Sequence, residues 1–397
     1  MARNRVIYQS EALFVSSTGG VNFQQMIRTQ DVSHAIDVPR TDINEFGKLA
    51  ALSREVVEPP TVSTDFTYYL TNGINESGLG FTVRGLNTED ATNCVSGLIG
   101  DDSDINKKNF YIVTSEEGVD ASSNTGSYAT RDTRPVSVIG VGNGFITDYT
   151  INAAVGDVPN AAVSIEASNI NFGTGYAGKT ISDTSPPPGL PSNWYGSALD
   201  DDKTRGVITG IQNPGINEND GSILSQGIVV PGSSTGDLNV TALRPGDISL
   251  SFGEDNDEEL LMGGANLPEL HVQNFSFSLP VGRTALNRIG NRYPYFRAVD
   301  FPVTATMTVN AILSEQVTGN LNSLLCENSK HNPIVTMNKA CSDTRAFRVE
   351  MKNADVDSQS LSSTIGDNKT VDITFSTQIG GPNDLTAGVF MSGNKDA

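Results

Sequence analysis

Three cysteines, three histidines and one tryptophan in 397 residues, with 26 Lys and Arg against 46 Asp and Glu, leave little material for several kinds of function. Cys94, Cys326 and Cys341 make an odd, sparse set, which argues against a disulfide scaffold and fits reduced thiols in a cytosolic assembly setting. His34, His271 and His331 are scattered, and neither an H-E-x-x-H pair nor a Cys/His zinc spacing occurs. A formal charge of −20 without basic clusters argues against non-specific nucleic-acid binding, since phosphate contacts need grouped Lys or Arg. No apolar run approaches the ~18 residues of a spanning helix, so no membrane span is expected. The opening MARNRVIYQSEALFVS has no apolar core of a secretion signal, so no leader is expected.

Catalytic patterns are equally scarce. Gly140–Gly144 reads GVGNG, but neither a helix nor a phosphate-binding lysine follows, so it reads as a turn. The acidic runs at Asp101-Asp102-Ser103-Asp104 and Glu254–Glu259 lack EF-hand spacing and read as solvated loops. With no nucleophile motif and no paired-carboxylate motif, the chain is not expected to be an enzyme or to need a cofactor or metal.

What is abundant is Gly, Ser, Thr, Asn and Asp, the composition of an all-β protein with many turns. The length suits two or three domains. One stretch occurs twice. Residues 32–70 overlay residues 275–313 at a constant offset of 243, without a gap. The shared residues are Ser33/Ser276, Val38/Val281, Arg40/Arg283, Thr41/Thr284, Asn44/Asn287, Gly47/Gly290, Arg54/Arg297, Val56/Val299, Pro59/Pro302, Thr61/Thr304 and Leu70/Leu313. The alternation repeats too: Val32, His34 and Ile36 fall on Phe275, Phe277 and Leu279, the pattern of strands with one buried face. Each copy reads as a long hairpin. The first tip, 39–60, has a helical spacing (Ile43, Phe46, Leu49, Ala50) that ends at Glu58-Pro59-Pro60.

A second pair of hairpins follows, weaker in sequence. Phe145–Ala153 and Ala161–Ile170 flank a turn at 155–160, and Ser358–Thr364 and Thr370–Ile379 flank a turn at 365–369, at an offset of 210. Each half is then hairpin, spacer, hairpin. The expected division is 1–172 for a first unit with an N-terminal arm, 173–271 for a Pro- and Gly-rich connection, and 272–397 for the second unit. The connection holds Ser185–Pro191 and one strand-like piece, Asp247–Phe252. Ala12–Val15 reads as a strand of the arm, and Phe110–Val113 as a buried strand.

The polar side of the four hairpins carries Asp37, Ser63, Asp65, Thr67, Asp148, Glu166, Ser276, Thr304, Thr306, Thr308, Asp372 and Thr374, and no Lys or Arg. Arginines gather at the tips instead: Arg40, Arg54, Arg283 and Arg297. A solvated face normally includes lysines, so the pattern suggests a smooth acidic wall that repels phosphate.

The tip RTDINEFGKLAALSREVVEPP, the V-G-D-x-P-N turn at 155–160 and Leu243-Arg244-Pro245-Gly246-Asp247 together resemble tail tube proteins of tailed bacteriophages. The resemblance covers about half the chain and implies tandem tube-type β-sandwich domains. Their hairpins would join a ring-wide inner β-barrel, with rings stacking into a tube that conducts DNA at ejection. The polar residues above would face the lumen, and the four arginines would make contacts between rings or subunits. The commonest members carry one tube domain and form hexamers; two copies in one chain imply a trimer with pseudo-sixfold symmetry. Implied partners are further copies of the chain, other tail proteins (tape measure, terminator, distal tail or baseplate, possibly sheath) and passing DNA without sequence-specific binding. The implied location is the virion tail, after assembly in the host bacterial cytoplasm. A β-rich decoration or adhesin module is the alternative.

Overall fold

The computed structural model describes residues 11–17, 24–58, 60–85, 93–99, 107–114, 121, 135–176, 206–212, 227–230, 242–244, 246, 248–252, 270–290, 294, 296–313, 330–339, 345–362, 368–381 and 384–393. The chain is mostly β. In the first half lie β1 (Glu11–Ser17), β2 (Gln24–Gln25), β3 (Thr29–Asp37), β4 (Thr41–Ile43), β5 (Ser53–Glu55), β6 (Thr61–Tyr69), helix α1 (Ile74–Leu79), β7 (Val83–Arg84) and helix α2 (Ser96–Ile99). There follow β8 (Lys108–Thr114), the long β9 (Pro135–Ala154), β10 (Asn160–Ala167), β11 (Asn169–Tyr176), β12 (Gly206–Gln212) and β13 (Gly227–Val230). The rest comprises β14 (Ile248–Phe252), β15 (Leu270–Pro280), β16 (Arg283–Leu286), β17 (Phe296–Val299), β18 (Val303–Leu313), β19 (Pro333–Asn338), β20 (Arg345–Lys352), β21 (Asp355–Ser362), β22 (Thr370–Ile379) and β23 (Gly388–Gly393).

The four expected hairpins form one antiparallel inner sheet in the order β3-β6-β10-β9-β15-β18-β22-β21. β6 shows why: Val62, Thr64, Phe66 and Tyr68 are buried while Thr61, Ser63 and Asp65 are exposed, so every second side chain leaves water. Two further sheets lie over that buried face. One runs β2-β1-β8-β9-β11 and uses the first part of β9; the other runs β14-β19-β20-β23-β7. A single apolar cluster fills the space, with Phe66 of the inner sheet 6.0 Å from Phe110 of the outer one, ring to ring.

The two halves use one set of registers. His34 faces Thr64 as Phe277 faces Met307, and Ser33 faces Asp65 as Ser276 faces Thr308. Tyr149 faces Val163 as Gln359 faces Ile373. Even the irregularities coincide: the bulge at Gln30 recurs at Gln273, and that at Thr147 recurs at Asp357. Such an extra residue has to be built in at a chosen point of a ladder, so its recurrence is a strong mark of a shared design.

Several expectations change. The tip at 39–60 is a two-stranded ribbon, β4 with β5, and not a helix; β16 and β17 repeat it, Ala285 opposite Arg297 as Asp42 is opposite Arg54. The helical spacing had no face to bury, since Phe46 and Leu49 stand in solvent. Gly47 and Gly290 turn the two tips at φ +90 and +94, which favours glycine. GVGNG is not a turn but the middle of β9, where Asn143 at φ +57 lets the strand leave the outer sheet and enter the inner one. Asn353, at φ +58, does the same between β20 and β21.

β14 is the strand-like piece expected in the connection; it pairs with β19, and β11 extends to Tyr176. β1, the strand expected in the arm at Ala12–Val15, pairs with β8 of the same chain. Asn72-Gly73 leads into α1, with Gly73 at φ +87. The Pro-rich stretch, both acidic runs, Cys326, Cys341 and Arg5–Tyr8 lie outside the described residues.

Candidate assembly surface: a polar face and two open edges

All twelve polar residues singled out above lie on the inner sheet's outward face. The rows run across strands: Asp65, Ser164 and Asp148 form one, and Thr150, Ser278, Thr306 and Ser376 another. A third joins Asn152, Ser276, Thr308, Thr374 and Ser358. Asp37 faces Thr61, Ser63 faces Glu166, Thr304 faces Gln378, and Asp372 faces Asn310. Short side chains tie neighbours together. The Thr67 hydroxyl donates to Asp31 at 2.6 Å, the Asn310 amide donates to Asp372 at 2.6 Å, and the Thr308 and Thr374 hydroxyls are 3.3 Å apart. Burial raises the Asp148 carboxyl from its ordinary range, opposed by the Tyr149 backbone N–H. Among the described residues no Lys or Arg stands in these rows.

The four tip arginines divide. Arg40 is exposed, and Arg54 bonds Asp42 across its own ribbon at 2.5 Å, in solvent. Arg283 and Arg297 are turned inward onto the first half. Arg297 is buried and pairs with Glu166; both guanidinium groups lie over the Phe145 ring, at 4.8 Å for Arg283 and 5.8 Å for Arg297, and Arg283 donates to the Leu98 carbonyl. Burial, then the neighbouring Arg297, holds Arg283 down to about 10, still charged at neutral pH. Reversing Arg283 therefore strikes the fold, whereas Arg40 allows a charge reversal that leaves the subunit intact. Glu166→Ala leaves Arg297 buried without its anion. Because the Glu166 side chain is 37 % exposed, a urea titration should show a loss of about 2–3 kcal/mol, below that of a fully buried pair.

The sheet ends at β3 on one side and β21 on the other, both unpaired on their outer edge among the described residues. In its middle, β9 meets β15, the one place where the halves join by strand pairing within this sheet. β3 occupies in the first half the place of β15 in the second, and β21 the place of β9. Their burial differs sharply. Leu279 and Val281 are 0 % exposed; their counterparts Ile36 and Val38 are 50 % and 37 % exposed. Ile151 is 0 % exposed and its counterpart Leu361 54 %. Unpaired edges with apolar side chains invite another strand.

A second buried polar group lies deeper. Glu76 of α1 accepts the Tyr68 hydroxyl at 2.8 Å and the Tyr149 hydroxyl at 3.0 Å, all three fully buried. Desolvation raises the Glu76 carboxyl, with the hydrogen bonds opposing it, and raises both phenols. The folded chain thus holds this proton more tightly than the unfolded chain does. The stabilisation is full below the unfolded carboxyl's pKa and is lost as pH rises through the folded one. Glu76→Gln keeps an acceptor without the charge, so urea midpoints between pH 5 and 8 should fall less steeply with pH than in the parent. The Cys94 thiol is also fully buried, and burial pushes its pKa up, which suppresses the reactive thiolate.

Sequence reasoning found the polar face and the tip arginines but missed the buried Glu76 cluster, whose members are spread over three elements without a motif. Among the described residues no group of three His, Cys, Asp or Glu could hold a metal ion, and no helix is long and apolar enough to cross a membrane. No protein-family model and no curated protein matches the chain.

Proposed function

We propose that this protein is the tail tube subunit of a tailed bacteriophage, built from two tandem tube-type β-sandwich domains in one chain. The supporting observation is the inner sheet: two four-strand sets in the same order and register, joined at β9–β15 and left open at β3 and β21. An internal copy of the junction is already satisfied, and the two open edges are its two separated sides. Closure of the sheet across copies removes edges that are otherwise a liability in water.

Size favours three copies. Three eight-stranded sheets give about 24 strands, which at ~4.8 Å spacing and ~40° tilt make a barrel of ~48 Å backbone diameter, wide enough for a DNA duplex. Six copies double that to ~96 Å, far more than a duplex fills. The outward polar face becomes the lumen wall. Its carboxylates Asp37, Asp65, Asp148 and Asp372, with no cation in the rows, repel phosphate, its hydroxyls stay wetted, and Glu166 is offset by Arg297. Tape measure, terminator, distal tail or baseplate proteins, and possibly a sheath, are the further partners; the virion tail is the location.

Negative-stain microscopy of the concentrated, purified chain tests this. Stacked rings or hollow tubes are expected. Discrete particles that never stack, together with carbohydrate binding, would favour the decoration or adhesin reading.

A further inference from the structure

The β9–β15 junction specifies more than a general tendency of the edges to pair. It runs from Asn274 opposite Ala154 to Pro280 opposite Asp148. Each end is fixed by a bulge: the Val281 N–H donates to the carbonyl of bulged Thr147 at 2.8 Å, and the Val155 N–H donates to that of bulged Gln273 at 2.9 Å. The two outer edges carry the same bulges, Gln30 on β3 and Asp357 on β21. We propose that β21 of one copy pairs antiparallel with β3 of a second copy of this chain in the register of β9 with β15. Ser358, Gln359, Ser360, Leu361 and Ser362 then stand opposite Asp37, Ile36, Ala35, His34 and Ser33. The Val38 N–H meets the Asp357 carbonyl.

The occupant is a second copy because the open side of the first half lacks only what the second half receives from within the chain. Ile36, Val38 and Phe172 are exposed, Phe172 at 62 % and 6.3 Å from the His34 ring. Their counterparts Leu279, Val281 and Met391, which faces Val349 as Phe172 faces Ile139, are buried, and Met391 is covered where β7 pairs with β23. β3 fits beside β21 and no other described strand of the chain takes that place.

Charge supports the same partner. Arg40 and Arg54 repeat Arg283 and Arg297, whose guanidinium groups lie over Phe145. In the second copy's junction the place of Phe145 is held by Asp355, which is exposed and bonded only at the surface to Lys330, at 2.5 Å. A ring face that attracts two cations is replaced by a carboxylate that attracts them more strongly. Arg40 thus contacts Asp355 of the adjoining copy within one ring, while Arg54 keeps Asp42 of its own ribbon.

The pairing rests on the tube reading for closure into a ring, and cysteine cross-linking separates the two. In the full chain, Ala35→Cys with Ser360→Cys puts two thiols at directly opposite positions, within disulfide reach. After assembly and mild oxidation, a non-reducing gel should show most of the chain as a covalent closed trimer. The unaltered chain and the Ala35→Cys/Ser362→Cys variant, displaced by two positions, should stay monomeric on the same gel. Tubes that form without the Ala35–Ser360 link, or that link better through Ser362, overturn the register while the tube reading stands. A correct link in particles that never stack upholds the register and overturns the tube. Absence of both assembly and linkage overturns both. In a second arm, Arg40→Glu should reduce ring yield severalfold and Asp355→Arg in the same chain should restore it; failure to restore overturns the Arg40–Asp355 contact.

Discussion

Leu279→Ala should destabilise the isolated subunit by about 2–5 kcal/mol, whereas Ile36→Ala, at the same place in the repeat, should cost about 1 kcal/mol or less. Leu279 is fully buried where β15 lies between β9 and β18, so truncation leaves a cavity that packed neighbours cannot fill. Ile36 is half exposed on an edge strand with a partner on one side only. Urea titrations of dilute protein read the folding cost. Assembly should show the reverse order of sensitivity: Ile36→Ala subunits fold normally and polymerise poorly, because the side chain becomes buried only in the junction. Equal folding losses at the two positions would mean that Ile36 is already part of a closed core, contrary to the open edge.

A positive charge placed in the middle of the polar face should turn an inert channel into a DNA-binding one. Thr306 stands in the row with Thr150, Ser278 and Ser376, two strands in from the β21 edge. Thr306→Arg repeats once per chain, so in the proposed ring of three copies it adds three cations, repeated in each stacked ring. Parent tubes should leave linear duplex DNA in the supernatant on co-sedimentation at ~0.15 M salt, and the variant should retain it with an affinity that falls steeply as salt rises. Tubes should look unchanged, since the side chain points into water and replaces one half-buried threonine. Retention of DNA by the parent to the same extent would contradict the idea of a non-adhesive wall, and no retention by the variant would mean that the face lies outside the bore.

The inner sheet was legible in the sequence as hairpins, whereas of the outer sheets only single strands were legible (Ala12–Val15, Phe110–Val113, Asp247–Phe252) and not their partners, for a physical reason. Inner strands bury one face and expose the other over nine or more residues, so alternation marks them, and shared Arg, Gly and Pro at the tips fixed their correspondence. The outer strands β1, β8, β14 and β19 are short, β1, β8 and β19 are mostly buried, and their pairing is non-local: Ile248 meets Met337 and Glu11 meets Thr114. Nothing local in Ile248–Phe252 announces a partner so distant, which is why it read as part of a connection. GVGNG misled because glycine clusters ordinarily mark turns; here small residues let one strand cross between two sheets, and a Cβ on Gly144 would lie 2.9 Å from Ile165. The ribbon tips misled in the opposite sense, through an apolar spacing that answers to no buried face within the subunit. The inward turn of Arg283 and Arg297 was also hidden, because Glu166 and Phe145 come from another hairpin.

An end-on reconstruction of the assembled protein by electron cryo-microscopy tests the central claim most directly. Threefold rings are expected, with one continuous inner wall in which β21 of each copy adjoins β3 of the next and Asp65, Thr306 and Thr374 line the bore. Rings of six chains, an inner wall interrupted at β3, or a hydroxyl-rich face turned to the outside would contradict it.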